Sequence, residues 1–578
     1  PARQDLGDEG YALVCTVQGV TITAPKPAGV FYGIQTLRQL LPWRDEAAPP
    51  ANPAWSIPCV AIADWPRFPW RGYLLDTVRH FRTKEEVKRT IDLLAFQKLN
   101  RLHLHLTDNE GWRVEIRKYP KLTEIGARQK NCSGMVGEGW FYTQADIREL
   151  VAYAASRQVT IVPEIEMPGH SRAALAAYPE LGCGGKLSQS LCVTRPATLE
   201  FSKDVLAEVI GLFPSPLIHI GADEVLPEPW RGCPECGPRM QALAGQPLPA
   251  DVSLFNVKVN NNSGVPFHAD IARLQGEFVR EIDQFLQSKG RRLIGWDEIL
   301  DGGLKHDSRA AAMAWRSDGA VAGAIAGNRD VVAALYPRFY LDNNTPLQVT
   351  YSVEPAPKEM TAAQAAHVLG VQGNMWGEGT PTIQHVDRRT FPRLCAIAEI
   401  GWSAAEQRDF ADFTSRLDPF MRRLEALGVT PGAWPSAGYK RVSLTTGKPA
   451  TCSAAAPGME ARLANDGIIN TDSYWATDVT PGKDAWWQVD LEKPTTVGRV
   501  IVVGYYGDTR YYGFTVEGSA DGQAWTPLAD RRANTAVSSR HGYECTFNPA
   551  EIRYLRVTMT GNSVNLGRHL VEVMAFEK

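Results

Sequence analysis

Between residue 63 and about residue 430, short apolar runs alternate with stretches of helical spacing. This alternation restricts the possible folds more than any other feature of the chain. The runs "RGYLLD", "RLHLHLT", "VTIVPEIE", "LIHIGAD", "RLIGWDE", "AAMAWR", "RFYLD" and "VLGVQGNMW" read as strands. Between several of them lie segments such as "KEEVKRTIDLLAFQK" and "QADIRELVAYAASR", whose apolar residues recur every three or four positions. Eight strands in about 370 residues predict a (β/α)8 barrel with long loops. An open, doubly wound sheet would place a Gly-rich phosphate loop after its first strand, and none follows "RGYLLD". Nearly every predicted strand ends in Asp, Glu, Trp, Arg or Tyr, and such barrels assemble their sites at the carboxyl ends of the strands.

The flanking segments differ in character. Residues 1–62 combine an alternating hairpin, "YALVCTVQGVTITA", with a helical run, "GVFYGIQTLRQLL", and predict a small α/β domain. A lone hairpin and helix make a thin core, so this domain is expected to be incomplete at its start. A long polar insertion, "LPADVSLFNVKVNNNSGVPFHAD", is expected to be a lid or a mobile segment. The Pro/Gly-rich stretch "PGAWPSAGYK" marks a linker over 431–441. Beyond it, short strands punctuated by turns over 442–578 predict an all-β sandwich. With 578 residues the chain exceeds one compact core, and its formal charge of -3 offers no electrostatic case for nucleic acid or an anionic membrane. No apolar run reaches the roughly 18 residues of a membrane span.

The ten cysteines are scattered. Cys183 with Cys192, and Cys452 with Cys545, are candidate disulfides for an oxidising compartment. "CPEC" (Cys233, Cys236) is half a zinc ribbon with no second CxxC, and is read as a local disulfide or free thiols. The chain opens on "PARQDLGDEG" without Met, so a leader removed upstream remains an expectation, and with it a secreted, periplasmic or cell-surface location.

The stretch "HIGADEV" puts Asp223 and Glu224 side by side at a strand end. Glycoside cleavage ordinarily uses two carboxyl groups flanking one bond, whereas strand neighbours point to opposite faces. Where the backbone turns out of the barrel, both side chains can lean over its mouth and approach one sugar from the same side. That suits a substrate whose own 2-acetamido group serves as nucleophile. An acidic pair capping the next helix fits the same two residues, and on their own the two readings stand even.

Seven ordered motifs decide between them: "RGYLLDTVRHF", "KLNRLHLHLTDNEGWRVEI", "VPEIEMPGHSRAAL", "HIGADEV", "LIGWDEIL", "GVQGNMWGE" and "FPRLCAIAEIGWS". Over residues 1–430 the sequence resembles glycoside hydrolase family 20, the β-N-acetylhexosaminidases. The resemblance implies that Glu224 is the general acid and base and that Asp223 holds the acetamido N–H. It implies that Tyr340 bonds the acetamide carbonyl, and that Trp296, Trp315 and Trp376 wall the pocket. Arg79, Asp342 and Glu378 would bind the outer hydroxyls, and Asp108 with His170 would form a relay tuning Glu224. A general acid must stay protonated near working pH, so burial and nearby negative charge are expected to raise the Glu224 pKa. The chain departs from the pattern at Ala222 (often Gly), Asn109 (usually Asp) and Glu166 (often Asp), and it has no Trp following Tyr340 and Asp342.

Residues 442–578 resemble the discoidin-like, coagulation-factor type C modules, which include carbohydrate-binding family 32, through "ANDGIINTDSYWAT", "AWWQVDLEKPTTVGRVIV", "FTVEGSADGQAWTPL", "YLRVTM" and "VEVMAFE". Such modules often hold one calcium, for which Asp466, Ser473 and Glu572 are the matching candidates. Tyr505, Tyr506, Arg510 and Tyr511 are either a sugar-contact cluster or strand packing. The expected activity is exo-release of terminal β-linked GlcNAc or GalNAc from glycans with no catalytic cofactor. Lacto-N-biosidase-type release of a disaccharide is the nearest alternative. Two rivals rest on other features: a metal amidohydrolase built on His103, His105, His170, His219 and Asp223, and a sugar-binding protein without catalysis.

Overall fold

The computed structural model describes residues 6–41, 56–129, 139–183, 188–244, 269–305, 307–356, 360–432, 443–469, 471, 473–539 and 541–577. The expected insertion before residue 269 lies outside the described residues, as does the linker from residue 433 on. The chain forms two compact units, Pro1–Arg408 and Asp409–Lys578.

The first unit begins with β1 (Tyr11–Thr16), β2 (Gly19–Thr23) and β3 (Val60–Asp64), an antiparallel sheet in the order β2-β1-β3, and the helix Pro27–Leu40. Tyr11, Leu13, Cys15 and Tyr32 pack together with Trp402 from the barrel's last helix. Arg71, buried at the start of the barrel, forms a bidentate pair with Glu9 at 2.9 Å and donates to the Phe68 and Lys98 carbonyls. An apolar seam and one buried guanidinium therefore seat the small domain against the barrel's first strand.

The barrel strands are β4 (Trp70–Asp76), β5 (Arg101–His105), β8 (Thr160–Glu164), β9 (Leu217–His219), β10 (Arg292–Trp296), β11 (Ala311–Ala314), β12 (Val331–Ala333) and β13 (Val368–Met375), with the two-residue strands β6 (Thr107–Asp108) and β7 (Gly111–Trp112) making a hairpin in the loop after β5. The eight are parallel and close in sequence order, β13 pairing back onto β4. Seven of the expected strands stand where the apolar runs place them. The seventh is Val331–Ala333, not the run around Tyr340. "VVA" is wholly buried, as a barrel strand covered on both sides must be, whereas Tyr340 touches β13 through a single bridge to Asn374. Outside the barrel, Thr83 and Thr143 open the helices Lys84–Phe96 and Gln144–Ser156 with reciprocal capping boxes to Glu86 and Asp146.

In the second unit follow β14 (Ala450–Cys452), β15 (Trp475–Asp478), β16 (Ala485–Val503), β17 (Tyr512–Ser519), β18 (Thr526–Asp530), β19 (Tyr543–Asn562), β20 (Gly567–Leu570) and β21 (Glu572–Phe576). They form an antiparallel sheet, β14-β16-β19-β17-β18 with β21 on β16, and a second pair, β15-β20. Trp475, Trp487, Tyr512 and Phe514 lie in the core of this all-β unit. Cys452 pairs with Trp487 and Cys545 with Val500, far apart along β16, so the expected bridge between them does not form. Among the described residues no helix is long and apolar enough to cross a membrane.

Candidate active site

The residues singled out at the strand ends converge on the carboxyl-end rim of the barrel. At its centre Asp108, fully buried, accepts from Arg79 Nη2 at 2.6 Å, His105 Nε2 at 3.0 Å and His170 Nδ1 at 2.9 Å. Burial alone would raise its pKa, but Arg79 and His170 outweigh it and hold the carboxyl well below the usual range. The other nitrogen of His105 pairs with Glu164, the last residue of β8. His105 is thereby pushed up to about 10 despite its burial, which favours the neutral ring, because Glu164 and Asp108 flank it.

His170 extends this chain of charges outward. Its Nε2 lies 3.7 Å from Asp223 Oδ2 and 3.5 Å from Glu224 Oε2. Burial opposes the imidazolium, yet Asp108 and Asp223 keep its pKa well above the ordinary value. The two adjacent carboxylates thus meet around one ring. Their backbone explains how: Gly221, Ala222 and Glu224 have φ of 64°, 71° and 48°, so the strand alternation breaks after β9. A Cβ on Gly221 would sit 1.8 Å from Glu166 Oε2, so any larger residue there must displace that carboxylate and accept a left-handed backbone. Alanine at 222 carries a left-handed cost of about 1–2 kcal/mol. A buried methyl worth about 0.8 kcal/mol and a stiffer unfolded chain worth about 0.4–1 kcal/mol offset most of it. Alanine at 222 therefore costs little more than glycine would.

Asp223 and Glu224 differ in protonation. Burial, with Glu224 and Glu164 nearby, pushes Asp223 up to about 6 against the pull of His170. Glu224, with its side chain 43% exposed, is held below the usual range by the hydrogen bond from His170. The expected upward shift of Glu224 is therefore not found, because water and an imidazolium both favour its anion.

Aromatic rings close the side of the site. Trp376 lies 5.9 Å from Trp296 and 6.4 Å from Tyr340, and Tyr340 lies 6.2 Å from Trp315. Trp296 is only 1% exposed and gives its N–H to Glu164, and Trp315 gives its own to Glu298. Burial and the charges of Asp223 and Asp342 hold the Tyr340 hydroxyl well above its ordinary pKa, so it stays a donor. Arg79 Nη1 reaches Asp76 at 3.0 Å and Glu378 at 3.6 Å, its Nε reaches Glu110 at 3.1 Å, and the guanidinium stands 5.2 Å from the Trp376 ring. Asp342 is pushed up to about 6 by burial and by Glu378, and one of its oxygens is buried without a partner.

Sequence reasoning missed Glu164 and Glu298, which orient His105 and two indoles, and gave Glu166 no role. Glu166 is fully buried beside Asp223 with its pKa raised well above normal, by burial first and then by Asp223. The signal was present in "PEIE", where period-two spacing puts both glutamates on one face. The histidines of the rival metal reading divide into separate groups: His103 and His219 converge on Glu164, while His170 meets Asp223 and Glu224.

In the second unit Asp466 accepts from Ser473 Oγ at 3.0 Å and from the Ile468 N–H at 2.8 Å. Glu572 is fully buried, and neither oxygen has a well-formed hydrogen bond, only a weak approach of the Gly467 N–H. Burial and Asp466 push it up to about 9. A buried carboxylate without partners beside a second one fits a hard cation. Of the aromatic cluster, Tyr506 is core, its hydroxyl given to the Ile469 carbonyl, while Arg510 stacks on the half-buried Tyr505 at 4.9 Å.

A barrel whose rim gathers an acid pair, an imidazole and a wall of indoles has the makings of a sugar-cleaving site. The chain belongs to glycosyl hydrolase family 20: residues 68–405 match its catalytic domain and residues 2–65 its domain 2. Residues 463–557 match a NedA-like, galactose-binding domain. The chain is 39% identical over 450 residues to a Porphyromonas gingivalis beta-hexosaminidase, a match covering 73% of this chain but 54% of that protein. It is 33% identical to an Akkermansia muciniphila beta-hexosaminidase, covering 71% of this chain and 83% of that one. The crystal structure of a Vibrio harveyi exo beta-N-acetylglucosaminidase in complex with N-acetylglucosamine superposes with a TM-score of 0.64 at 33% identity, covering 75% of this chain and 68% of that chain.

The Gly221→Ala variant is expected to expel Glu166 and to lower the barrel unit's stability by about 3 kcal/mol, while Ala222→Gly stays within about 0.5 kcal/mol of wild type. Calorimetry of both variants checks the pair, and equal effects would contradict this account of the turn.

Proposed function

We propose that the chain is an exo-acting β-N-acetylhexosaminidase that removes terminal β-linked N-acetylglucosamine or N-acetylgalactosamine from glycans with net retention. The observation that carries this reading is the meeting of Asp223 and Glu224 around the single His170 ring. Carboxylates that sandwich a glycosidic bond face each other across the sugar. Two that share one imidazole approach from one side, and the substrate's acetamide supplies the missing member.

In this reading the acetamide oxygen attacks the anomeric carbon while Glu224 protonates the departing glycosidic oxygen. Asp223, ionised, accepts the acetamide N–H and balances the positive charge of the oxazolinium ion that forms. Tyr340 donates to the acetamide oxygen and aligns it. Glu224 then takes a proton from water, which attacks the same carbon and restores the acetamide, giving retention. The sugar itself prepares the acid: covering the exposed Glu224 carboxyl removes its water, which raises its pKa. Arg79, the unpartnered oxygen of Asp342, and Glu378 engage the outer hydroxyls, which favours a closed pocket for one sugar over release of a disaccharide. The indoles of Trp315 and Trp376 shelter the acetamido methyl and sugar face, with Trp296 behind them.

The second unit serves as a glycan-binding module with a structural calcium on Asp466 and Glu572 and the Ser473 hydroxyl beside them. Glycans of this kind lie outside the cytoplasm, and we place the enzyme there, secreted, periplasmic or at the cell surface.

Hydrolysis of an aryl N-acetyl-β-glucosaminide, set against the matching aryl β-glucoside, tests the mechanism. Rapid cleavage of the first and almost none of the second is expected; comparable rates would mean an enzymatic nucleophile and remove Asp223 from its role.

A pH profile tests the protonation scheme. Turnover needs Glu224 protonated and Asp223 ionised, and because Glu224 titrates below Asp223, kcat/KM should hold level up to about 6 and fall above it. Asp342 titrates in the same range. The limb is expected to vanish in Asp223→Asn and to survive in Asp342→Asn.

For the calcium, the sign follows from Glu572. Its folded pKa is raised, so the unfolded carboxyl ionises first and the native state binds more protons. Chelator-treated protein should therefore lose stability as pH rises from the ordinary carboxylate range to about 9. Calcium should restore it, and calorimetry of Glu572→Gln should show no calcium response.

A further inference from the structure

We propose that Cys183, Cys192, Cys233 and Cys236 form a tetrathiolate zinc site that staples together the loops carrying His170 and the Asp223–Glu224 pair. The four cysteines come from two distant stretches, yet their sulfurs all lie within 4.8 Å of one another and every one is buried. Three separations are explicit: Cys192 to Cys236 at 3.6 Å, Cys192 to Cys233 at 3.7 Å and Cys183 to Cys236 at 3.9 Å. A tetrahedral zinc with Zn–S bonds of about 2.3 Å has sulfur–sulfur edges of about 3.8 Å. A disulfide requires about 2.05 Å, and no pair among the four comes near it. Three of the six edges therefore match a zinc tetrahedron, and the other three are no longer than 4.8 Å.

The surroundings suit thiolates. Cys236 opens the helix Cys236–Ala244, whose N-terminal end favours negative charge. Thr194 approaches the Cys236 sulfur with its hydroxyl at 3.3 Å and also with its backbone N–H. Arg195 stands close enough to interact with Cys192 and Cys233. Cys233 and Cys236 are free thiols, as the reading of "CPEC" allows; in this proposal the second pair of ligands is Cys183 and Cys192, brought in by the bridge between Gly182 and Leu191.

The staple's reach follows from its hydrogen bonds. Leu191 N–H donates to the Pro168 carbonyl at 2.9 Å and Ser171 N–H to the Gln189 carbonyl at 2.8 Å, so the Cys192 loop holds the backbone on both sides of His170. Trp230, packed among the cysteines, donates to the Leu191 carbonyl at 2.8 Å, and Val225, next to Glu224, packs on the same cluster. One ion would therefore brace both loops after β8 and β9. The metal assignment does not depend on the glycosidase reading, although the two cysteine pairs closing as disulfides in an oxidising compartment is its direct competitor.

Elemental analysis of the full chain, purified without added metal or chelator, decides it together with intact mass and thiol titration. The expected result is one zinc per chain, released by a mercurial and captured by a colorimetric chelator, with mass at the fully reduced value. Cys236→Ser should lose zinc about tenfold and melt lower, while Cys59→Ser, at an exposed position, keeps it. A mass about 4 Da lower, marking two disulfides, would overturn the proposal. So would iron in place of zinc, or four reactive thiols with no metal. Should Cys236→Ser fail to fold, the wild-type metal and mass values still decide.

Discussion

Everything at the rim hangs on Asp108. Its carboxylate is buried, and buried anions survive only where cations and donors surround them. Arg79, His105 and His170 supply that surround from three different strand ends, so one carboxylate fixes the relative positions of the loops after β4, β5 and β8. Charges then alternate outward, Glu164 to His105, Asp108 to His170, His170 to the Asp223–Glu224 pair. An alternating array of this kind is rigid because moving any member leaves its neighbour unpaired in a low dielectric. The aromatic wall is tied into the same array, since Trp296 donates to Glu164.

That array also explains why the two adjacent acids behave differently. Asp223 is enclosed, faces Glu224, Glu164 and Glu166 as well as His170, and rises to about 6. Glu224 looks outward and feels mainly the imidazolium.

Much of this was legible in the sequence, and the boundary of legibility is physical. Strand ends rich in Asp, Glu and Trp pointed to the barrel and its rim because a barrel's interior admits few polar side chains elsewhere. The seventh strand was misplaced onto the run "RFYLD". The buried run "VVA" is too short to stand out, and a fully buried strand lacks the alternation that betrays a half-exposed one. Glu164 and Glu166 were passed over because the period-two spacing of "PEIE" shows that they share a face but not that the face is buried. The cysteine cluster was invisible for a related reason: its two halves are separated by a barrel strand and the acid pair, and only folding brings Cys183 and Cys192 to Cys233 and Cys236.

The turn after β9 ties these strands of argument together. Three left-handed residues in four positions are costly, of order 1–2 kcal/mol for each that is not glycine. A backbone of that kind persists only where its surroundings over-determine it. Here Glu166 fills the space under Gly221, Gln275 binds the Ala222 carbonyl, and Val225 is held against the cysteine cluster. Each of these props lies outside the set of groups that would touch a sugar. The adjacency of Asp223 and Glu224 is thus a property of the turn before it is a property of the chemistry. A regular strand end would aim one of the two carboxylates away from His170, whatever residues stood on it.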